Sequence, residues 1–119
     1  MTQLVTYNAM AGYEIEKYRK LKGLDQGQLA NLIGVSQPVL SRLEKGKASI
    51  TIDQLFVICD ALKIEPQEII ANVSEGVSAF KKEASVDITT TKEVGSGNLG
   101  AALTGAAIGG ILGMLLARK

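Results

Sequence analysis

The sequence predicts an all-α protein with a five-helix domain, a linker and a separate C-terminal hydrophobic helix. Three observations lead to this prediction. Apolar residues recur at helical spacing over residues 12–72, as they do on one buried face of a helix. Capping residues and glycines stand where these short helices begin or end. Residues 99–117 are 19 consecutive uncharged residues, rich in leucine, alanine and glycine.

Composition limits the kinds of protein that this chain can be. Its 119 residues fit one domain with a short appendage, and 46% hydrophobic residues exclude a wholly disordered chain. Histidine is absent, which excludes imidazole catalysis and most zinc sites. The single Cys59 excludes an internal disulfide. No nucleophile–base pair, metal-ligand cluster or phosphate loop is recognisable, so we expect no enzyme, no metal and no cofactor. We find no signal peptide and expect a cytoplasmic protein.

The first two predicted helices are bounded by glycine and aspartate. The first carries an apolar stripe from Ile15 to Leu24 at three-residue steps, and Gly23 ends it. Asp25 is a good N-cap for the second helix, because its carboxylate accepts a bond from a free backbone N–H. Gly34 closes that helix.

The next three helices show similar boundaries. Ser36 caps the third helix, and Pro38 is tolerated because it falls in the first turn. Gly46 ends this helix. Thr51 begins the fourth, and residues 65–68 open the fifth with acidic groups at its positive end.

The segments outside residues 12–72 have weaker patterns. Residues 1–11 are an uncharged lead-in with no clear period. Residues 73–97 are interpreted as a loosely structured linker, since Val86–Val94 is rich in threonine and β-branched residues and Gly95–Gly97 interrupts the chain. The alternative for Ser74–Lys82 is the extension of a short helix.

Charge is distributed unevenly along the chain. Residues 12–50 hold seven basic and four acidic groups, a balance of +3, whereas residues 51–93 hold four basic and eight acidic groups, a balance of −4. A basic first half indicates that one face meets a polyanion. Ordinary solvated charge is the alternative interpretation.

Residues 25–46 have the pattern of a helix–turn–helix, with a tight turn at Gly34–Ser36. In this element the second helix points its N-terminal end into the major groove of DNA. Small or apolar residues stand where the two helices would touch: Ala30, Val35, Leu40 and Leu43. Gln37, Ser41 and Arg42 are polar and lie on the exposed side, where glutamine can pair with adenine and arginine with guanine. The expected partner is double-stranded DNA.

At residues 23–47, GLDQGQLANLIGVSQPVLSRLEKGK, and 51–70, TIDQLFVICDALKIEPQEII, the chain resembles the Xre/Cro-type helix–turn–helix family of phage and bacterial repressors. The resemblance covers about Tyr13 to Ala71, half of the chain. It implies a five-helix DNA-binding domain that works as a dimer on a two-fold operator.

The resemblance also implies which residues contact DNA. It places Gln26 at a phosphate, and Gln37 and Arg42 where base edges are read. Pro38 stands where the family often has a polar residue, which limits that position to an apolar contact. The two lysines after the third helix would approach the backbone. The full predicted set is Gln26, Ser36, Gln37, Pro38, Ser41, Arg42, Lys45 and Lys47.

Arg19 and Glu44 match a structural ion pair that links the first and third helices of the family. The DNA-contact residues have simpler interpretations beside the functional one: Gln37 as solvated surface, and Lys45 and Lys47 as ordinary loop charges. The whole motif can also serve protein binding instead of DNA binding.

The tail carries small residues at every fourth position: Gly97, Ala101, Gly105, Gly109, Gly113 and Ala117. Small residues at this spacing let helix backbones approach closely, as in GxxxG pairs in membranes, and the segment resembles glycine-zipper helices. Nineteen residues just suffice to cross a bilayer, so lipid contacts through 99–117 are one expectation. Self-assembly of the tail outside a membrane and burial by another protein are the others.

The leading functional hypothesis is a sequence-specific DNA-binding regulator, a dimeric repressor. Its tail, residues 98–119, would tether it to the inner face of the cell membrane or multimerise it. One alternative is a membrane-active or scaffold protein, with the tail as effector and the helical domain as regulatory module. A protein-binding adaptor of the same fold is the other.

Overall fold

The computed structural model describes residues 3–83, 86–89 and 105–116. These ranges contain six α-helices and two short strands, so the predicted all-α class is confirmed apart from a two-stranded sheet. In chain order the elements are β1 (Gln3–Thr6), α1 (Tyr7–Leu21), α2 (Gln26–Ile33), α3 (Gln37–Glu44), α4 (Ile52–Leu62), α5 (Pro66–Glu83), β2 (Val86–Thr89) and α6 (Gly105–Leu116).

The predicted helix caps are confirmed by their hydrogen bonds. The side chains of Asp25, Ser36 and Thr51 each accept a bond from the backbone N–H three residues ahead, at 2.7, 3.3 and 3.0 Å. Gly34 has a φ of +76°, a left-handed backbone conformation that ends α2. Residues with a Cβ rarely adopt this conformation. Pro38 lies in the first turn of α3, as the sequence predicts.

Helices α1 to α5 enclose one apolar cluster, which we call the main cluster. Its buried members are Ile15, Leu29, Ala30, Leu40, Leu55, Ile58, Cys59, Leu62 and Ile69. The thiol of Cys59 is part of this packing, and burial raises its pKa, with Glu68 and Glu65 adding to the effect. A thiol held neutral by its surroundings is a packing group and a poor nucleophile.

The described part of the N-terminal lead-in, residues 3–11, contains a strand and the start of a helix, which the sequence pattern did not indicate. Gln3–Thr6 form β1, and α1 begins at Tyr7. Thr6 caps α1, its hydroxyl accepting a bond from the N–H of Ala9 at 3.0 Å. Val5 is buried together with the first turns of α1. Thr6, Ala9 and Met10 are buried as well, and charged side chains would be unfavourable at these positions.

The linker interpretation of residues 73–97 is wrong where the structure describes them, whereas the alternative of a helix over Ser74–Lys82 is confirmed. Helix α5 continues to Glu83, held by the buried Phe80, and Val86–Thr89 form β2. β2 pairs in parallel with β1, with Gln3 opposite Val86. The β-branched residues interpreted as linker therefore form a strand, which is their usual preference. Residues 90–97 lie outside the described ranges.

The C-terminal helix is not separate, because α6 packs against α1 and α5. Together with β1 these elements form a second cluster, made of Val5, Ala9, Met10, Phe80, Ile108 and Leu112. The apolar side chains expected to meet lipid are thus partly buried within the chain. α6 has 12 residues, and no helix in the described ranges combines the length and hydropathy needed to cross a membrane.

Two glycines of the small-residue strip have different surroundings. Gly109 lies against α1, where a Cβ would stand 2.8 Å from Cε1 of Tyr13, while Gly113 faces open space. Gly105 is the first residue of α6. The remaining predicted positions, Gly97, Ala101 and Ala117, lie outside the described residues.

Candidate nucleic-acid interface

The two helices α2 and α3 present the N-terminal end of α3 to solvent. The N–H of Val35 bonds to the carbonyl of Ala30 at 3.0 Å, which closes the turn between them. On α3, Leu40 and Leu43 are buried, whereas the first three residues of the helix, 37–39, are exposed. The exposed end of α3 thus has the shape needed to enter a major groove.

Arg19 of α1 and Glu44, the last residue of α3, are in direct contact. Arg19 Nε lies 2.7 Å and Nη2 3.2 Å from the two carboxylate oxygens of Glu44, a bidentate arrangement. Both residues are buried, with exposed fractions of 7% and 0%. Arg19 Nη1 also donates to the carbonyl of Leu24 at 2.8 Å. The pair therefore fixes α1 and α3 relative to each other and to the loop before α2.

A chain of hydrogen bonds extends from this pair to the surface. Gln26 Nε2 donates to Glu44 Oε1 at 2.9 Å, and Gln37 Nε2 donates to Gln26 Oε1 at 2.9 Å. A carboxylate accepts only, so Gln26 must point its amide nitrogen at Glu44 and its oxygen at Gln37. The buried charge thereby sets the orientation of two successive side chains.

Gln37 keeps the groups that adenine recognition requires. One N–H of its side-chain amide donates to Gln26, which leaves the second N–H and the carbonyl oxygen to bind a base. An adenine presents an acceptor and a donor in the major groove and is bound by such a pair of groups. The sequence indicates Gln37 as a base contact but does not reveal that Gln26 orients it, since the two residues lie on different helices.

Arg42 is exposed one turn further along α3. Its Nη2 donates to the carbonyl of Lys47 at 3.3 Å, which draws the guanidinium toward the loop after the helix. Lys45 and Lys47 are exposed in this loop, and Gly46 between them has a φ of +74°. Ser41 is half-buried. The basic side chains thus gather at the C-terminal end of α3 and the glutamines at its N-terminal end.

Sequence reasoning did not find a polar cluster on the far side of α1. The buried carboxylate of Glu14 accepts from Lys17 at 2.8 Å and from Asn72 at 3.0 Å, and Asn72 also donates to the Tyr18 hydroxyl at 3.1 Å. Burial by itself lowers the pKa of Lys17, but Glu14 outweighs it and the pKa is raised. The Glu14–Lys17 spacing of three residues is the signal that the sequence offers. In the described ranges no three acidic or cysteine side chains gather as a metal site would need.

Comparison with known proteins agrees with this geometry. A family model described as helix-turn-helix matches residues 15–69. Antitoxin PezA of Streptococcus pneumoniae serotype 4 is 28% identical over 87 residues, which are 73% of this chain and 55% of PezA. The chain thus spans about half the length of that curated relative. The crystal structure of the clp gene regulator ClgR from C. glutamicum superposes with a TM-score of 0.57 at 25% identity, over 58% of this chain and 90% of ClgR. Residues 15–69 are therefore a helix-turn-helix domain.

Proposed function

We propose that this protein is a sequence-specific DNA-binding regulator of transcription that reads the major groove with α3. The observation that carries the proposal is the hydrogen-bond chain from Arg19 through Glu44 and Gln26 to Gln37. A surface glutamine has little reason to be held in this way unless its orientation matters. The match to a helix-turn-helix family and the similarity to a named gene regulator support the same function.

In the proposed complex the two ends of α3 contact different parts of the DNA. Gln37 at the N-terminal end pairs with an adenine, and Pro38 packs on a thymine methyl group. Arg42 leaves the carbonyl of Lys47 to bind a guanine edge. Lys45 and Lys47 approach phosphates, which fix the position of the helix without reading sequence.

We further propose that the protein acts as a dimer and represses by occupying its operator. One α3 brings only a few base-reading side chains to the groove, and a second copy on an adjacent half-site doubles the number of specific contacts. The two half-sites would lie about 34 Å apart, one turn of DNA, because the two copies of α3 must enter successive major grooves on one face.

The test is selection of operators from random DNA by the full chain and by variants. We expect Gln37→Ala and Arg42→Ala each to weaken discrimination by about 1–3 kcal/mol at the base pair concerned. The exposed Lys22 lies outside the helix–turn–helix, so Lys22→Ala is the matched control. If both α3 variants select the same operator as the wild type at the same salt, the assignment of base contacts is wrong.

For the tail we propose a role inside the folded domain. Membrane attachment would require α6 to leave α1 and α5, which would expose Phe80 and Met10. We therefore expect the full chain to remain in the soluble fraction when cell membranes are pelleted. A chain that pellets and is released by detergent would restore the tethering hypothesis.

An antitoxin is a second candidate function, favoured by the similarity to PezA over 73% of the chain. An antitoxin must counteract a toxin, so this function requires a protein partner besides DNA. The measurement is growth of cells that express each protein co-purified with the full chain, with and without this chain. Growth arrest that this chain relieves would support the candidate, and harmless co-purified proteins would remove it.

A further inference from the structure

Helices α4 and α5 leave an apolar surface exposed. Ile52 and Phe56 lie one turn apart in α4, with exposed fractions of 70% and 58%, and Ile70 of α5 is exposed by 56%. All three line a groove of about 600 Å³ between the two helices. An adjoining depression of about 310 Å³ shares Ile52 and Ile70 and reaches Tyr7 at the start of α1. We call the groove and this depression together the α4–α5 face.

The α4–α5 face carries very little charge. Among the described residues that line it, Glu65 is the only charged one, and it stands directly before α5. Other acidic side chains of the two helices line different depressions. Asp53 lines one that α4 forms with α2 and α3, and Glu75 lines one that α5 forms with α1 and α6. The α4–α5 face is therefore nearly neutral as well as apolar.

These properties favour a second copy of the chain as the occupant of the face. A two-fold interface brings the same patch of two copies together, so like charges near its centre would repel each other. A nearly neutral patch avoids this repulsion. Homodimer interfaces are also more apolar than interfaces with transient partners. A surface with one charged side chain offers a foreign protein little basis for electrostatic selection.

The face adjoins the proposed DNA contacts without including α3. The loop after α3 carries Lys45 and Lys47 and ends at Ile50 and Thr51, which line the face. The side chain of Asn8 accepts a bond from the N–H of Ile50 at 2.8 Å, which ties this loop to α1. No residue of α3 lines the groove or the depression. Contact between two copies at this face would therefore leave both α3 helices available to DNA.

We propose that the α4–α5 face is the surface through which two copies of the chain form a two-fold dimer. Phe56 and Ile70 of each copy pack against the same face of the other copy and become buried. The proposal rests on the dimeric DNA binding proposed above and gives that dimer its surface. Because the loop with Lys47 borders the face, this contact fixes the separation of the two α3 helices. It thereby sets the spacing of half-sites that the dimer accepts.

The test is sedimentation velocity of the full chain over a range of concentrations, free and on the DNA that it selects. We expect the wild type to be a dimer. Phe56→Glu and Ile52→Glu each place a charge in the face and should raise the dissociation constant of the dimer by about thirtyfold or more, as a central interface residue does. Leu32→Glu and Leu21→Glu are matched controls that should leave the dimer unchanged, since Leu32 and Leu21 are exposed by 58% and 72% outside the face.

Circular dichroism and thermal melting check that the variants fold. Glutamate is a good helix former, and both substituted side chains are mostly exposed, so we expect α4 to remain intact. If both variants instead melt as low as the core variant Leu40→Ala, the chain itself covers the face and the proposal is wrong.

Two further results would overturn the proposal, and they differ in what they mean for the function. Variants as dimeric as the wild type would assign the dimer to another surface and leave the regulator function untouched. A wild type that stays monomeric, both free and on DNA, would remove the dimer and leave a monomeric DNA-binding protein. Conversely, a dimer that Phe56→Glu and Ile52→Glu dissociate, in a chain that selects no DNA, would support the face and refute the DNA-binding function.

Discussion

At the scale of single residues, two of the ion pairs made by α1 have similar lengths and very different burial. Arg19–Glu44 is 2.7 Å long with both side chains buried, whereas Lys20–Glu16 is 2.8 Å long with the lysine mostly exposed. A buried charge that loses its partner keeps its desolvation cost, while an exposed one is rehydrated. The two pairs therefore form an internal comparison of the effect of burial.

We expect Arg19→Ala to lower the free energy of unfolding by about 3–5 kcal/mol, because it leaves Glu44 buried without a counter-charge. Lys20→Ala should lower the free energy of unfolding by less than about 1 kcal/mol. Urea denaturation at neutral pH measures both. Equal losses for the two variants would show that burial of the Arg19–Glu44 pair does not matter to stability.

The residue scale is also where sequence reasoning reaches its limit. The start of α3 can be predicted, because Ser36 is a recognisable cap that fixes which residues follow it on the exposed side. The hydrogen bonds of Gln26 to Glu44 and to Gln37 cannot be predicted, because they join side chains that are 18 and 11 residues apart in the sequence. The bond from Arg42 to the backbone of Lys47 likewise depends on the path of the loop after α3.

At the scale of elements, two glycines in α6 allow the effect of helix propensity on stability to be measured apart from the effect of packing. A Cβ at Gly109 would stand 2.8 Å from Cε1 of Tyr13, whereas a Cβ at Gly113 would have no neighbouring atom within 4 Å. Both lie in the same helix, so an alanine gains the same intrinsic preference at either position. The difference between the two substitutions reports only the contact with α1.

We expect Gly113→Ala to raise the free energy of unfolding by about 0.5–1 kcal/mol, through helix propensity alone. Gly109→Ala should lower it, because α6 must move away from Tyr13 or the ring must shift. Thermal melting of the two variants beside the wild type measures the sign of each change. A stabilising Gly109→Ala would mean that α6 does not dock on α1 in solution.

Elements stabilised by local signals are those that the sequence predicts. The helices α2, α3 and α4 begin at capping side chains that bond within three residues, so a short window contains the whole signal. β1 and β2 pair Gln3 with Val86, a contact that no short window contains. The last turns of α5 depend in the same way on the burial of Phe80 against distant elements.

At the scale of the whole molecule, α1 lies between the tail helix and the loop that follows α3. Ala9 belongs to the second cluster with Ile108 and Leu112. On its other side Ala9 approaches the loop after α3, since a Cβ at Gly46 would stand 2.5 Å from the Cα of Ala9. The neighbouring Asn8 accepts a bond from the N–H of Ile50 at 2.8 Å. Packing of α6 on one side of α1 therefore supports the loop with the proposed phosphate contacts on the other.

In this arrangement α6 contributes the buried side chains of Ile108 and Leu112 to the second cluster. We expect Leu112→Ala to lower the free energy of unfolding by about 2–5 kcal/mol, as truncation of a buried leucine does. The exposed Leu32→Ala should change it by less than about 0.5 kcal/mol. Because the second cluster adjoins the loop after α3, we also expect the amide of Ile50 to exchange with solvent faster in Leu112→Ala than in Leu32→Ala. Urea denaturation and hydrogen exchange provide the two measurements. Leu112→Ala could instead change both the free energy of unfolding and the exchange rate of the Ile50 amide as little as Leu32→Ala does. In that case α6 is dispensable for the fold, and its apolar face is available to lipid or to another copy.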